Sequence, residues 1–106
     1  RKPQFVTNQL KIADLTLDRD TRIVTRAGKE ISLSSKEFMV LECLMRNQNI
    51  VMTRQQIEQN AWNYDYEGGS NVIDVYIRYL RKKIDAGYEK KLIHTVRGTG
   101  YVMREE

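Results

Sequence analysis

At 106 residues and 41% hydrophobic content, the chain has enough apolar side chains for one core, and a single domain is expected. No apolar run approaches the length of a membrane span, no signal-like block follows Arg1-Lys2-Pro3-Gln4, and the lone Cys43 excludes an internal disulfide, so a cytoplasmic protein without a membrane partner is expected. The net charge of +4 is too modest to name a partner, but residues 1–69 hold 10 basic and 9 acidic side chains whereas residues 70–104 hold 8 and 3, which places the positive field in the last third.

Up to Asn8 the chain is polar, carries its only proline and shows no periodicity. Residues 1–8 are therefore expected to be a linker or disordered, with the domain over 9–106. Short β-type runs follow at Leu10 to Ala13, Leu15 to Leu17, Arg22 to Thr25 and Glu30 to Leu33, with Arg19-Asp20 and Ala27-Gly28 as turns, which predicts a four-stranded antiparallel sheet. Ser34-Ser35-Lys36-Glu37 then offers a capping box, and Phe38, Leu41, Leu44 and Met45 recur at helical spacing beyond it. Cys43 in that pattern reads as a small buried hydrophobe.

Thr53-Arg54-Gln55-Gln56 repeats the capping logic and opens a short second helix with Ile57 and Ala61 on one face. Trp62 to Gly69 is a connection, with the Trp62 ring expected to pack in the core, the alternative being that it helps a backbone amide meet a phosphate. Ser70 or Asn71 can cap a third helix that runs to Asp85-Ala86-Gly87. On that helix Ile73, Ile77, Leu80 and Ile84 form an apolar stripe, while Asn71, Val75, Arg78, Tyr79 and Lys82 fall on the opposite arc, which must meet water or an anion. Leu92 to Val96 and Tyr101 to Met103 form a terminal hairpin around Arg97-Gly98-Thr99-Gly100.

A short helix, a longer cationic helix and a hairpin are the parts of a winged helix-turn-helix, in which the second helix enters the major groove and the wing can place an arginine, here Arg97, in the minor groove. The fold class expected is α+β, with an N-terminal four-stranded antiparallel sheet, three helices and a C-terminal β-hairpin wing.

The runs Asn71-Val72-Ile73-Asp74-Val75-Tyr76-Ile77-Arg78-Tyr79-Leu80-Arg81-Lys82-Lys83 and Thr95-Val96-Arg97-Gly98-Thr99-Gly100-Tyr101 resemble the OmpR/PhoB family of response-regulator output domains. Leu33-Ser34-Ser35-Lys36-Glu37-Phe38, Thr53-Arg54-Gln55-Gln56-Ile57 and Trp62 extend the similarity over nearly the whole chain from Leu10. The resemblance implies sequence-specific binding of double-stranded DNA as the output of a two-component phosphorelay controlling transcription. It further implies binding as a second copy on tandem repeats and a separate N-terminal receiver domain that is phosphorylated.

By matching position, Val72 and Val75 are expected at thymine methyls, and Tyr79 and Asn71 at base edges. Tyr76, Arg78, Arg81, Lys82 and Thr95 are expected at phosphates, with Arg97 reading the shape of the minor groove. Tyr79 departs from family members that carry arginine there, so a guanine-centred contact is not expected. Thr53 and Arg54 sit at a helix N-terminus that can anchor a phosphate.

Plainer readings stand beside these. Val72 can pack against the preceding loop, Arg81 can pair with Asp74 along its own helix, Arg78 with Lys82 can be a solvated face, and Arg97 a surface turn. In the resembled family the loop Asn63, Tyr64, Asp65, Tyr66, Glu67, Gly68 and Gly69 contacts RNA polymerase. The sole histidine, His94, lies in a strand pattern and is read as structural. No spacing of Ser, His, Cys or acidic residues suits catalysis, a metal or a nucleotide cofactor, so no enzyme is expected. The competing function is a winged helix that binds protein or RNA.

Overall fold

A computed structural model of the chain describes residues 8–61 and 72–105. Strands β1 (Gln9–Ile12), β2 (Leu15–Asp18), β3 (Val24–Arg26) and β4 (Lys29–Ile31) form an antiparallel sheet in sequential order. Alternation sends Leu15, Leu17 and Val24 inward, as the period of a strand requires. Arg26 pairs with Lys29 across Ala27-Gly28, whose φ values of 56° and 81° define the primed turn that matches strand twist.

Strand boundaries shift by one residue in most cases and by two at the start of β3 and the end of β4. The Asp18 carboxylate accepts the amides of Asp20 at 2.9 Å and Thr21 at 3.2 Å, and Arg22 turns to φ 65°, so β3 begins only at Val24 rather than at Arg22. The following strand stops at Ile31, short of Leu33, because Ser34 is already committed to the next helix. Of the expected N-terminal linker only Asn8 is described, and its side-chain amide donates to Asp20 at 3.0 Å.

Helix α1 (Ser35–Arg46) starts with the expected reciprocal cap: Ser34 Oγ accepts from the Glu37 amide at 3.2 Å, and Glu37 Oε1 accepts from the Ser34 amide at 2.9 Å. Its apolar face, Phe38, Val40, Leu41, Leu44 and Met45, is central to the core and packs against both following helices. Cys43 is fully buried there, and burial pushes its thiol up to about 11, so it remains an uncharged hydrophobe. Helix α2 (Arg54–Ala61) carries a second cap, Gln56 N to Thr53 Oγ1 at 3.0 Å and Thr53 N to Gln56 Oε1 at 2.9 Å.

Helix α3 (Val72–Leu80) runs on into a π-type turn, Arg81–Asp85, and the chain reverses at Gly87 with φ 87°. Ile73, Ile77, Leu80 and Ile84 are buried as one stripe. The expected caps Ser70 and Asn71, the ring of Trp62 and the loop Asn63 to Gly69 lie outside the described residues.

The expected hairpin is β6 (Ile93–Val96) paired with β7 (Gly100–Met103), and it acquires a third strand, β5 (Met52–Thr53), on the other side of β7. That strand was not expected. Gly100 is fixed by this pairing: a Cβ there would stand 1.9 Å from the Met52 carbonyl oxygen, so only glycine lets the backbones meet. Because β5 leads directly into α2, the sheet joins the wing to the helix-turn-helix through the backbone.

Candidate nucleic-acid interface

The outer face of α3 presents Arg78, Tyr79 and Lys82 to solvent, with Val75 half-buried beside them. Tyr79 is 42% exposed and meets the Tyr76 ring edge-on at 5.9 Å between centroids. Val72 and Tyr76 are half-buried against the core, so they are held in place by packing as well as being within reach of the surface. Asn71 lies outside the described residues.

The base of this face is tied to the wing by a node around Tyr101. The Tyr101 hydroxyl donates to Asp74 Oδ1, and Arg54 Nε donates to the same oxygen at 2.8 Å. Burial pushes the Asp74 carboxyl up, but the bonds from Tyr101 and Arg54 outweigh it and hold the group below its ordinary value. The Arg54 and Arg81 guanidinium groups lie over the Tyr101 ring at 5.5 and 5.7 Å from its centroid. Arg54, placed by sequence at a phosphate-binding helix terminus, is thus the partner of Asp74, and the Arg81–Asp74 alternative is not formed. Thr53 Oγ1 is likewise committed to its cap.

Arg81 turns instead to the hairpin. Its Nη2 donates to Thr95 Oγ1 at 2.6 Å and to the Ile93 carbonyl at 3.3 Å. The turn beyond closes through Thr99 N to the Val96 carbonyl at 3.0 Å, and exposed Arg97 sits at its tip beside Gly98 with φ 80°. Between the second half of α3 and β6 lies an open groove of about 540 Å³, walled by Arg78, Arg81, Lys82, Lys91, His94 and Thr95. Among the described residues, the only carboxylate on its wall is Asp85. The cationic flank of α3 and the first strand of the wing therefore line one groove.

Asp85 does not neutralise that surface, because its carboxylate points inward. It accepts the amides of Leu92 and Ile93, each at 3.1 Å, and Arg26 Nη1 at 3.3 Å. Arg26 is 1% exposed and donates also to Asp14 Oδ1 at 2.6 Å, to the Lys90 carbonyl at 2.6 Å and to the Ile84 carbonyl, with its guanidinium 4.4 Å from the Tyr88 ring centroid. One planar fork from the N-terminal sheet thus holds the end of α3 and the start of the wing. Sequence reasoning missed both residues; the available signal was a basic residue at an inward β3 position.

A second bracket joins Lys83 Nζ to Glu37 Oε1 at 2.8 Å and to the Ser32 carbonyl at 3.1 Å, which draws this lysine away from the cationic arc. Burial raises the Glu37 carboxyl, but Lys83 and the Ser34 amide together bring it below its ordinary value of 4.5. Glu37 and Asp74 both ionise more readily folded than unfolded, so the unfolded chain binds more protons and the stability they add is present above their unfolded values. That stability is expected to fall as pH drops from about 4.5 through their folded values. Urea midpoints between about pH 6 and pH 3 check this, and Glu37→Gln should flatten the decline.

Among the described residues, no group of three His, Cys, Asp or Glu could hold a metal ion, and no helix is long and apolar enough to cross a membrane. Residues 28–103 match the family described as "Transcriptional regulatory protein, C terminal". Over 95 residues the chain is 53% identical to the transcriptional regulatory protein TrcR of Mycobacterium tuberculosis, covering 90% of this chain and 37% of that protein. The fold is similar to the Klebsiella pneumoniae RstA DNA-binding domain, solved in complex with the RstA box, at TM-score 0.79 and 32% identity over 91% of this chain and 96% of that one. It is similar also to the response regulator DrrB, a Thermotoga maritima OmpR/PhoB homolog, at TM-score 0.81 and 28% identity over 95% of this chain and 46% of that one. The chain spans less than half the length of the curated relatives it matches. From the family match, the sequence identity and the winged-helix geometry together, the chain belongs to the OmpR/PhoB-type family of transcriptional regulatory C-terminal domains.

Proposed function

We propose that this domain binds double-stranded DNA sequence-specifically as the output module of a two-component response regulator controlling transcription. It is a regulatory domain and not an enzyme. The observation that carries the reading is the shared groove: Arg78, Arg81 and Lys82 of the α3 flank face β6 across it, and Arg81 is bonded to Thr95. A helix in the major groove with a wing over the adjacent backbone needs that juxtaposition. In this reading Val75 and Tyr79 meet base edges and methyls, Val72 and Tyr76 stand at the margin, and Arg78, Lys82 and Thr95 contact phosphate. Arg81 acts chiefly by holding the wing to the helix, Thr53 and Arg54 chiefly by setting the α2 entry, and Arg97 enters the minor groove.

One small domain buries a limited interface, so a second copy on a tandem repeat about one helical turn away supports tight binding. The relatives' greater length supports a receiver domain in the same polypeptide; a cytoplasmic location and a polymerase-contacting role for residues 63–69 belong to the same reading through the family resemblance. Duplex affinity against salt is the deciding measurement. A steep negative slope with sequence preference is expected; no slope, or equal binding of anionic polymers, would favour a protein- or RNA-binding module instead. Arg97→Ala should cost about tenfold on A·T-rich flanks and less on G·C-rich ones, whereas Tyr79→Ala should change preference at one position with a smaller effect on nonspecific affinity.

A further inference from the structure

Among the described residues, polar side chains tie the wing to the third helix at two heights. Asp74, in the first turn of α3, accepts from the Tyr101 hydroxyl on β7, and Arg81, where the π-type turn begins, donates to Thr95 Oγ1 on β6. Thr95 and Tyr101 are directly opposite in the hairpin, so both stand on its helix-facing side. The spacing from Asp74 to Arg81 sets the ties about 10 Å apart along the helix axis. A single tie would leave the hairpin free to pivot, whereas two fix its pitch against the helix. The β5 ladder cannot replace either one, because it holds β7 to the entry of α2 through two residue pairs and does not reach α3.

Tyr101 is itself 5% exposed, with the Arg54 and Arg81 guanidinium groups against its ring. Its hydroxyl therefore acts through Asp74. Burial, and next the Asp74 carboxylate, hold the phenol above its ordinary value, so it remains a donor at neutral pH. One end of this bond adjoins Val75 on the outer face of α3, and the other leads back along β7 to the turn that carries Arg97.

We propose that Tyr101 is a positioning residue for DNA recognition: its hydroxyl, bound to Asp74, sets the angle of the wing to α3 so that the wing-tip arginine and the base-reading face of the helix engage their two grooves together. The proposal rests on the DNA-binding reading. It is separable because loss of the hydroxyl changes how the DNA contacts combine without removing any of them.

The test is a double-mutant cycle on duplex affinity, with Tyr101→Phe and Arg97→Ala made singly and together, on one selected site carrying either A·T-rich or G·C-rich flanks. Tyr101→Phe keeps the ring, and Asp74 keeps Arg54, so no buried group is stranded. On A·T-rich flanks Arg97→Ala should cost about tenfold in the wild-type background but only about twofold beside Tyr101→Phe. Tyr101→Phe alone should cost about fivefold there and less on G·C-rich flanks. Asp74→Ala should blunt the Arg97 effect in the same way, and Asp74→Asn, whose amide oxygen still accepts the hydroxyl, should restore it. Additive losses, equal losses on both flanks, or loss of a cooperative thermal transition in both Tyr101→Phe and Asp74→Ala overturn the Tyr101 assignment alone. Wild type that binds no duplex overturns the DNA-binding reading and this inference with it.

Discussion

Replacing Arg26 with methionine is expected to lower the unfolding free energy by about 3–5 kcal/mol and the thermal midpoint by roughly 15 °C or more. The guanidinium is 1% exposed and Asp85 is 4% exposed, so removing one leaves the other charged, buried and without its counter-ion. In many proteins such a pair can be exchanged for apolar residues at little cost, but here the pair also serves the backbone. Arg26 satisfies the Ile84 and Lys90 carbonyls, and Asp85 satisfies the Leu92 and Ile93 amides, so an apolar pair strands four main-chain groups. Arg26→Lys should recover only part of the loss, because an ammonium cannot span acceptors on both sides of a planar fork. Chemical denaturation of the three proteins checks the order; a methionine variant within about 1 kcal/mol of wild type would show that the bracket is dispensable.

Joint replacement of Arg78 and Lys82 with alanine is expected to weaken duplex binding about thirtyfold near 0.15 M salt and to reduce the salt slope by about 2. Among the described residues neither side chain is hydrogen-bonded or salt-bridged, and Arg78 acts on the Asp74 carboxyl through its charge alone, so the fold should be little affected. The loss should be nearly equal on specific and unrelated duplexes, as expected for side chains that meet phosphate rather than bases. Anisotropy titrations across a salt series measure both quantities. An unchanged slope would place the backbone track elsewhere on the molecule.

Where local chemistry decided the structure, it could be read from the residues. Both capping boxes, the Ala27-Gly28 turn and the stripe Ile73, Ile77, Leu80, Ile84 depend on side chains within a few positions of one another. Where distant backbone decided it, the residues were silent. Met52-Thr53 is too short for an alternation pattern and becomes a strand only because β7 passes beside it. Arg26 occupies an inward β3 position where sequence favours an apolar residue, and apart from Asp14 its acceptors lie 58–64 positions away. At the candidate site, the cationic arc was visible from periodicity, whereas the division of labour within it was not. Arg81 and Arg54 look alike in sequence, and the structure gives the first to the wing and the second to Asp74.

The closure at Gly100 bears on the order in which the molecule assembles. Strand β7 is the middle strand of its sheet: its hairpin with β6 can close locally, but its other neighbour β5 lies nearly half the chain earlier, so the sheet cannot be completed until a long segment has been brought round. The capped helices form from near neighbours and can condense first. The docking of the wing against β5 is thus expected to be the slowest step, and a refolding protein should regain its helical signal before it regains any grip on a duplex.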